Sequence, residues 1–411
     1  MKDRKYKIIG SLIILIALVL NPFVVEYFFS PDKELDQGNL VKVIIFDMFL
    51  LCTGIITIKK KARKKSENWI KKITKTISHI LKNKTIKKIL LTTIITIIAI
   101  GFIESSFYQL NTHQRTITIT RKADYRIMDE NLGFRGIPNL IQNVLKMYDN
   151  GSIIYNVTYS IDEFGRRKNE HKEGPPLILF GGSFVFGAGL EDNETLNYYL
   201  TNFTKFDVYN YGLGGYGTHQ MLTQLEQQNF TKEINKTGGK AIYIFIPDHI
   251  RRTIGDMYWS YRYQWKQPYY KLNKNNELQR KGSFKTGRPI TTKIYKTLRK
   301  SNIIKYYNIN LPPKRKTHTY LTYKIIEKSK EIYEEKFNGT FYVLIHPLIT
   351  EKKESKELKK LLTENNINIL EYNLPTKNYY EEYRISGDGH PNAKLNKKLA
   401  QKIAKTINTN G

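Results

Sequence analysis

Three apolar runs, separated by charge, open the chain. Ile8–Phe29 is 22 residues long with Asn21, Pro22 and Glu26 inside it; Leu40–Ile58 has 19 residues, with Lys42 near its start and Asp47 inside. The third, Ile89–Ile103, is 15 uncharged residues. A bilayer-crossing helix needs about 20 mostly apolar residues, so each run is a candidate span and none is ideal. The first run also has the basic head of a signal peptide, but no small-x-small cleavage site follows it, which favours an anchor. Past these runs the pattern changes. From Gln109 to Gly165 it is strand-like and turn-rich, with the alternating Thr116–Thr120 and a strand over Ile153–Ile161 that ends in Asp162-Glu163-Phe164-Gly165.

From Pro175 onward, short apolar runs alternate with helical periodicity. Leu177–Phe180, Asp207–Asn210, Ala241–Ile246, Thr340–Ile345 and Ile367–Leu370 read as buried parallel strands. Helices are expected near Glu194–Asn202, Thr218–Gln228, Tyr320–Glu335 and Glu351–Asn365, with Asn392–Ile407 closing the chain. Such alternation implies an α/β fold, a doubly wound parallel sheet with helices on both faces and ligands at the carboxyl ends of its strands. The stretch 255–317 breaks the alternation and reads as an insertion. The organisation expected is therefore a membrane region over 1–105, a β-rich lead-in over 106–174 and a catalytic domain over 175–411.

Charge sets the topology of the first region. The formal net charge is +30, and residues 59–88 hold thirteen Lys/Arg against the single acid Glu67. A basic block between apolar runs marks a cytoplasmic face rather than a nucleic-acid site, so no nucleic-acid partner is expected. With the connector Ser30–Asn39 acidic, three crossings put everything after about Ser105 on the outer side of a cell membrane. Within the basic loop, Trp69, Ile70, Ile73, Ile77, Ile80 and Leu81 recur at helical spacing, as in an amphipathic helix lying on an anionic leaflet. Cys52 is the single cysteine, so a disulfide or a cysteine-ligated metal within one chain is excluded. No cofactor or metal is called for.

Three segments carry chemistry. The first strand runs into Gly181-Gly182-Ser183-Phe184-Val185-Phe186-Gly187-Ala188-Gly189, which places a serine on a glycine-flanked turn at the sheet edge. Backbone N–H groups in such a turn can stabilise an oxyanion. Val185 stands where the G-x-S-x-G elbow needs its last glycine, so this is not that motif. A second glycine cluster, Asn210-Tyr211-Gly212-Leu213-Gly214-Gly215-Tyr216-Gly217, follows the second strand, with Asn210 placed to pin the loop. It is either a tight strand–helix connection or a further N–H donor. The third segment is Ser386-Gly387-Asp388-Gly389-His390-Pro391-Asn392, a histidine loop just before the last helix. A histidine base must reach the serine proton and be oriented by a third group.

Taken together, GGSFVFGAGLEDNETL, NYGLGGYGTHQ and DGHPN resemble the blocks of the SGNH (GDSL-like) hydrolase superfamily over roughly Pro175 to Ile407. The resemblance implies a three-layer flavodoxin-like fold, Ser183 as nucleophile, His390 as base, and an oxyanion hole from the N–H groups of Gly215 and Ser183. The chain departs from the family pattern three times. Gly182 replaces the usual Asp before the serine. Gly387 stands three residues before the histidine, where Asp is usual, and Asp388 stands two before. The third block reads Phe245-Ile246-Pro247-Asp248-His249-Ile250-Arg251-Arg252, without the Asn donor. Asp248, His249 and Arg251 are then the candidate substrate-side residues, and a structural Asp248–Arg252 ion pair is the competing reading. The insertion sets Tyr258, Trp259, Tyr261, Tyr263, Trp265, Tyr269 and Tyr270 among arginines and Lys266, a composition that packs cores and also stacks on sugars.

These readings converge on a serine esterase acting, at the outer membrane face, on O-acyl esters of a cell-surface glycan or lipid, the acyl group expected to be acetyl. The alternatives are an O-acyltransferase working with a membrane partner protein, and an inactive glycan-binding scaffold.

Overall fold

The computed structural model describes residues 50, 84–114, 120–121, 124–148, 150–227, 230–262, 265–373 and 379–409. The chain divides into two compact units, Met1–Leu110 and Asn111–Gly411. The first two apolar runs apart from Leu50, most of the basic loop with its amphipathic stretch, Thr116–Ile119 and Tyr263 lie outside the described residues. The third run folds within a 31-residue helix, Lys84–Gln114. Among the described residues, no helix is long and apolar enough to cross a membrane. Its uncharged stretch stops at Glu104, and at 1.5 Å per residue it spans about 22 Å against a hydrocarbon thickness of about 30 Å.

The second unit is built on five parallel strands: β1 (Pro176–Phe180), β2 (Asp207–Asn210), β3 (Lys240–Phe245), β4 (Thr340–Ile345) and β5 (Asn368–Glu371). Their order across the sheet is β2-β1-β3-β4-β5, the flavodoxin-like arrangement in which the chain switches direction beside β1. Because successive side chains point to opposite faces, one apolar run feeds two cores. Ile178, Phe180, Tyr243 and Phe245 face Tyr323, Ile326, Tyr333 and Phe337 of helix Lys316–Phe337. Leu177, Leu179, Ile242 and Ile244 face Leu196 and Leu200 of helix Leu196–Phe203, with Leu399 and Ile403 of helix Ala393–Thr409. The sheet is thus covered on both sides, as its near-continuous hydrophobicity predicts.

The lead-in residues form a separate antiparallel sheet in which Ile141–Met147 pairs with Ile153–Ser160. Their inward faces build a third core on the turn that carries Ser183. Tyr125 stacks on Phe186 with ring centroids 4.8 Å apart, and Tyr159 meets the same ring edge-on at 5.1 Å. Arg167 lies wholly buried beneath that turn, donating to the carbonyls of Leu190 (2.8 Å) and Gly187 (3.4 Å) and pairing with Asp192 at 2.6 Å. The insertion contributes a two-stranded ribbon, Pro268–Leu272 with Leu278–Ser283, and four short helices.

Three histidines are buried away from counter-charges. Burial pushes His219 and His346 down to about 3 and His249 well below its usual value. The unfolded chain binds protons on these rings below about pH 6.5, whereas the folded chain resists them until far lower pH. Their neutral burial is therefore fully tolerated above about pH 6.5 and costs stability as pH falls through that window. By pH 5 the loss is about 2 kcal/mol for each of His219 and His346. Denaturant midpoints at pH 7.5 and pH 5 check this: wild type should weaken markedly and His219→Gln less so. Equal midpoints for wild type would refute it.

Candidate active site

β1 ends at Phe180, and two glycines carry the chain into a single helical turn, Ser183–Phe186, closed by Gly187 in the left-handed conformation (φ 79°). A Cβ on Gly182 would lie 2.5 Å from Nη1 of Arg252 and 2.9 Å from Nε2 of His249. Those two side chains occupy the space an aspartate would need, which accounts for Gly-Gly-Ser in place of Gly-Asp-Ser. The second glycine loop runs against this turn so closely that a Cβ on Gly212 would meet Val185 at 2.5 Å. Asn210 fastens the two loops. Its Oδ1 accepts from the Gly212 N–H at 3.0 Å, and its Nδ2 donates to the Val185 carbonyl at 2.8 Å and to Asn197 at 2.7 Å.

The histidine loop is held from within. Ile385 N–H donates to the His390 carbonyl at 2.8 Å, and Gly389 N–H to the Ile385 carbonyl at 3.0 Å. Asn392 caps the final helix through Leu395 N–H at 3.0 Å. Gly389 (φ +86°) folds Asp388 back toward the imidazole, so a carboxylate two residues before the histidine reaches it. At Gly387 (φ +72°) an added Cβ would collide with the Tyr148 hydroxyl, which rules out a side chain three residues before the histidine. The structure brings Ser183, His390 and Asp388 together. Ser183 Oγ lies 2.8 Å from Nε2 of His390, and Asp388 Oδ1 makes a close contact with Nδ1 of the same ring. Since a carboxylate can only accept, this arrangement assigns the ring proton to Nδ1 and leaves Nε2 to accept from the serine.

The sequence reading missed Lys146. It closes on the other carboxylate oxygen, Oδ2, of Asp388, from the lead-in strand Ile141–Met147. Val144 and Lys146 share that strand's inward face, with Lys146 opposite Tyr155. A lysine in phase with an inward valine was the available signal; its partner lies 242 residues away. Burial alone would raise the carboxyl pKa of Asp388, whose side chain is 1% exposed, but the hydrogen bonds and charges of His390 and Lys146 outweigh that. Its carboxyl is held well below the usual carboxylate range.

Ser183 opens onto a cavity of about 730 Å³ that Gly214, Gly215, Asp248, Arg251, Tyr258 and Trp259 help to line. Not every expected substrate-side residue reaches it. Asp248 is exposed at the rim, and Arg251 lines the wall while pairing with Asp256 at 3.2 Å. His249 is not among the lining residues: it is 1% exposed, shares a hydrogen bond between Nδ1 and the Tyr243 hydroxyl at 2.7 Å, and lies behind Gly182. Arg252 is also buried but does line the cavity, donating to the Tyr216 carbonyl at 2.6 Å with its guanidinium over Trp259 at 4.4 Å. The cause is helical phase. β3 leads into helix Asp248–Thr253, which turns 248 and 251 toward the cavity and 249 and 253 toward the interior, with the buried Arg252 between them still touching the cavity. Of the insertion's aromatics, Tyr258 and Trp259 reach the cavity, whereas Tyr270 is core, donating to Glu226 at 2.6 Å.

No protein-family model and no curated protein matches the chain. Solved structures do. A member of the lipolytic protein G-D-S-L family from Veillonella parvula aligns over 57% of this chain and 99% of its own, at 13% identity and a TM-score of 0.33. A psychrotrophic esterase from a Pseudoalteromonas species, solved with monoethylphosphonate as inhibitor, aligns over 57% of this chain and 98% of its own, at 11% identity and a TM-score of 0.31. Likeness at this level carries no argument about activity or substrate, which must rest on the site itself.

The buried Lys146–Asp388–His390 chain makes a stability prediction. A carboxyl held low in the folded state stabilises above its unfolded value, about pH 4, and that contribution is lost as pH falls below it. Asp388→Asn should therefore be less stable than wild type at pH 7, with the gap narrowing between pH 4 and pH 2.5 in urea titrations. Lys146→Met, which leaves a buried charge with one partner fewer, should cost about 3 kcal/mol at pH 7. A pH-independent gap for Asp388→Asn would contradict the charged assignment.

Proposed function

We propose that the chain is a serine esterase or acyl-transfer enzyme working through an acyl-enzyme on Ser183. The observation that carries this reading is the 2.8 Å approach of Ser183 Oγ to His390 Nε2, with Asp388 on the far side of the ring, at the wall of a 730 Å³ cavity. His390 removes the hydroxyl proton as Oγ attacks an ester carbonyl. The tetrahedral oxyanion is held by the backbone N–H groups of Ser183 and Gly215, donors worth about 3–4 kcal/mol each in a well-built site. Collapse breaks the ester C–O bond, His390 delivers its proton to the leaving alcohol, and the acyl group stays on Ser183. Water, activated by the same imidazole, then releases the acid and restores the serine.

The cavity has room for an acceptor beside the acylated serine, and this favours a second reading in which a sugar hydroxyl replaces water. Mass spectrometry of an acetyl donor incubated with a glycan separates the two, by acetylated glycan or by free acetate. The expected donors are O-acyl esters on a surface glycan or lipid.

Ser183→Ala should lower hydrolysis of small aryl acetates by about a thousand-fold or more while leaving the fold intact. A fluorophosphonate should label wild type at Ser183 and spare the variant. Folded wild type that takes no label at Ser183 would favour a glycan-binding scaffold instead. An outer-face location follows from the charge asymmetry of residues 1–105 and belongs to the same proposal. Protease added to intact cells should cut the second unit, and protection until the cells are lysed would refute that placement.

A further inference from the structure

The cavity wall is unbalanced in charge. Seven lysines and arginines line it against three carboxylates, and one of those, Asp388, is already committed to His390 and Lys146. The cations are not a local cluster. Arg126 comes from the lead-in segment and Arg251 from the helix after β3, whereas Arg299 and Lys314 belong to the insertion. Lys352 follows β4, and Arg384 stands beside Gly389 of the histidine loop. Five separate stretches of chain thus place positive charge around one opening.

Part of that charge is answered locally: Arg126 by Asp124 at 2.9 Å, Arg251 by Asp256 at 3.2 Å, and Lys314 by a close contact with Glu354. Arg299 and Lys352 form no ion pair among the described residues. Arg299 lies over the ring of Tyr258 at 5.1 Å, an arrangement that holds the guanidinium in place without neutralising it. Beside it Trp259 also lines the cavity, mostly buried and with the Arg252 guanidinium over its ring at 4.4 Å. Cations spread around a rim suit a ligand with several negative charges along its length. The half-buried Tyr258 ring among them suits a sugar ring.

The geometry points to an acyl ester carried on a polyanionic glycan-type polymer as the substrate class, an inference that rests on the serine acyl-transfer reading. Carboxylate or phosphodiester groups of the polymer lie against the cationic rim while one acylated hydroxyl enters beside Ser183. A cleft lined by one sign of charge concentrates an oppositely charged substrate and raises its encounter rate, and salt removes the effect.

The test compares acetate release by the purified full-length chain from three O-acetylated polymers of matched acetyl content. These are a neutral galactan, a polygalacturonate and a poly(glycerol phosphate). At low ionic strength kcat/KM for at least one polyanion should exceed that for galactan by about ten-fold or more. The ratio should collapse in about 0.5 M salt. It should also fall in the Arg299→Gln/Lys352→Gln double variant. Preference for polygalacturonate alone assigns carboxylates, and preference for the phosphate polymer alone assigns phosphodiesters. Equal hydrolysis of all three, or a preference insensitive to salt and to the double variant, overturns the polyanion assignment and leaves the serine mechanism intact. Failure to release acetate from any polymer, with aryl acetates also untouched, overturns the underlying reading and this one with it.

Discussion

A buried carboxylate sets the terms for the rest of this site. Asp388 has a side chain 1% exposed, in surroundings where an unpaired charge would be strongly destabilising. It is retained because its two oxygens face different partners, His390 on one and Lys146 on the other. The first contact fixes the imidazole so that Nε2 meets Ser183. The second comes from a strand that precedes the whole parallel sheet. The orientation of the base thus depends on the docking of a segment outside the five-stranded fold, and the lead-in sheet becomes part of the site's support.

That dependence runs the other way too. The turn bearing Ser183 is pressed between elements that cannot shift independently. Phe186 is enclosed by Tyr125 and Tyr159, and the Tyr159 hydroxyl accepts from the Gly189 N–H at 2.7 Å. Arg167 gathers the carbonyls of Gly187 and Leu190 beneath the turn. From the sheet side, Asn210 ties the turn to the Gly212 loop. A site that stabilises developing charge gains from donors already in place, since they need not reorganise during reaction. Here the fixing groups are core aromatics and buried hydrogen bonds, and the loops themselves carry the glycines that let backbones approach.

Much of this was legible in the chain because the sheet is buried on both faces. β2 and β4 fall on the expected residues; β1 and β3 begin one residue earlier, and β3 ends one residue sooner than its apolar run suggests. β5, at the sheet edge, is shifted by one residue, as expected where one flank has no strand to define it. The offset of Asp388 from the family pattern could be seen but not interpreted, because its meaning lies in the backbone angle of Gly389. Lys146 was hidden by sequence distance. His249 was misplaced because two adjacent residues after a strand point to opposite sides once a helix begins, and composition alone does not tell where that helix starts.

The same helix links two departures that look unrelated in the sequence. Where the resemblance leads one to expect an Asn donor after β3, Pro247 leads directly into Asp248–Thr253. The turn of that helix sends Arg252 and His249 into the space behind Gly182, so the missing Asn and the missing Asp of the usual Gly-Asp-Ser are one structural substitution. It also sends Arg251 to the cavity wall. Where the resemblance leads one to expect a neutral amide donor, this chain carries positive charge arranged around the opening. Charge spread around an opening acts over a longer range than a hydrogen bond and bears on what enters the cavity.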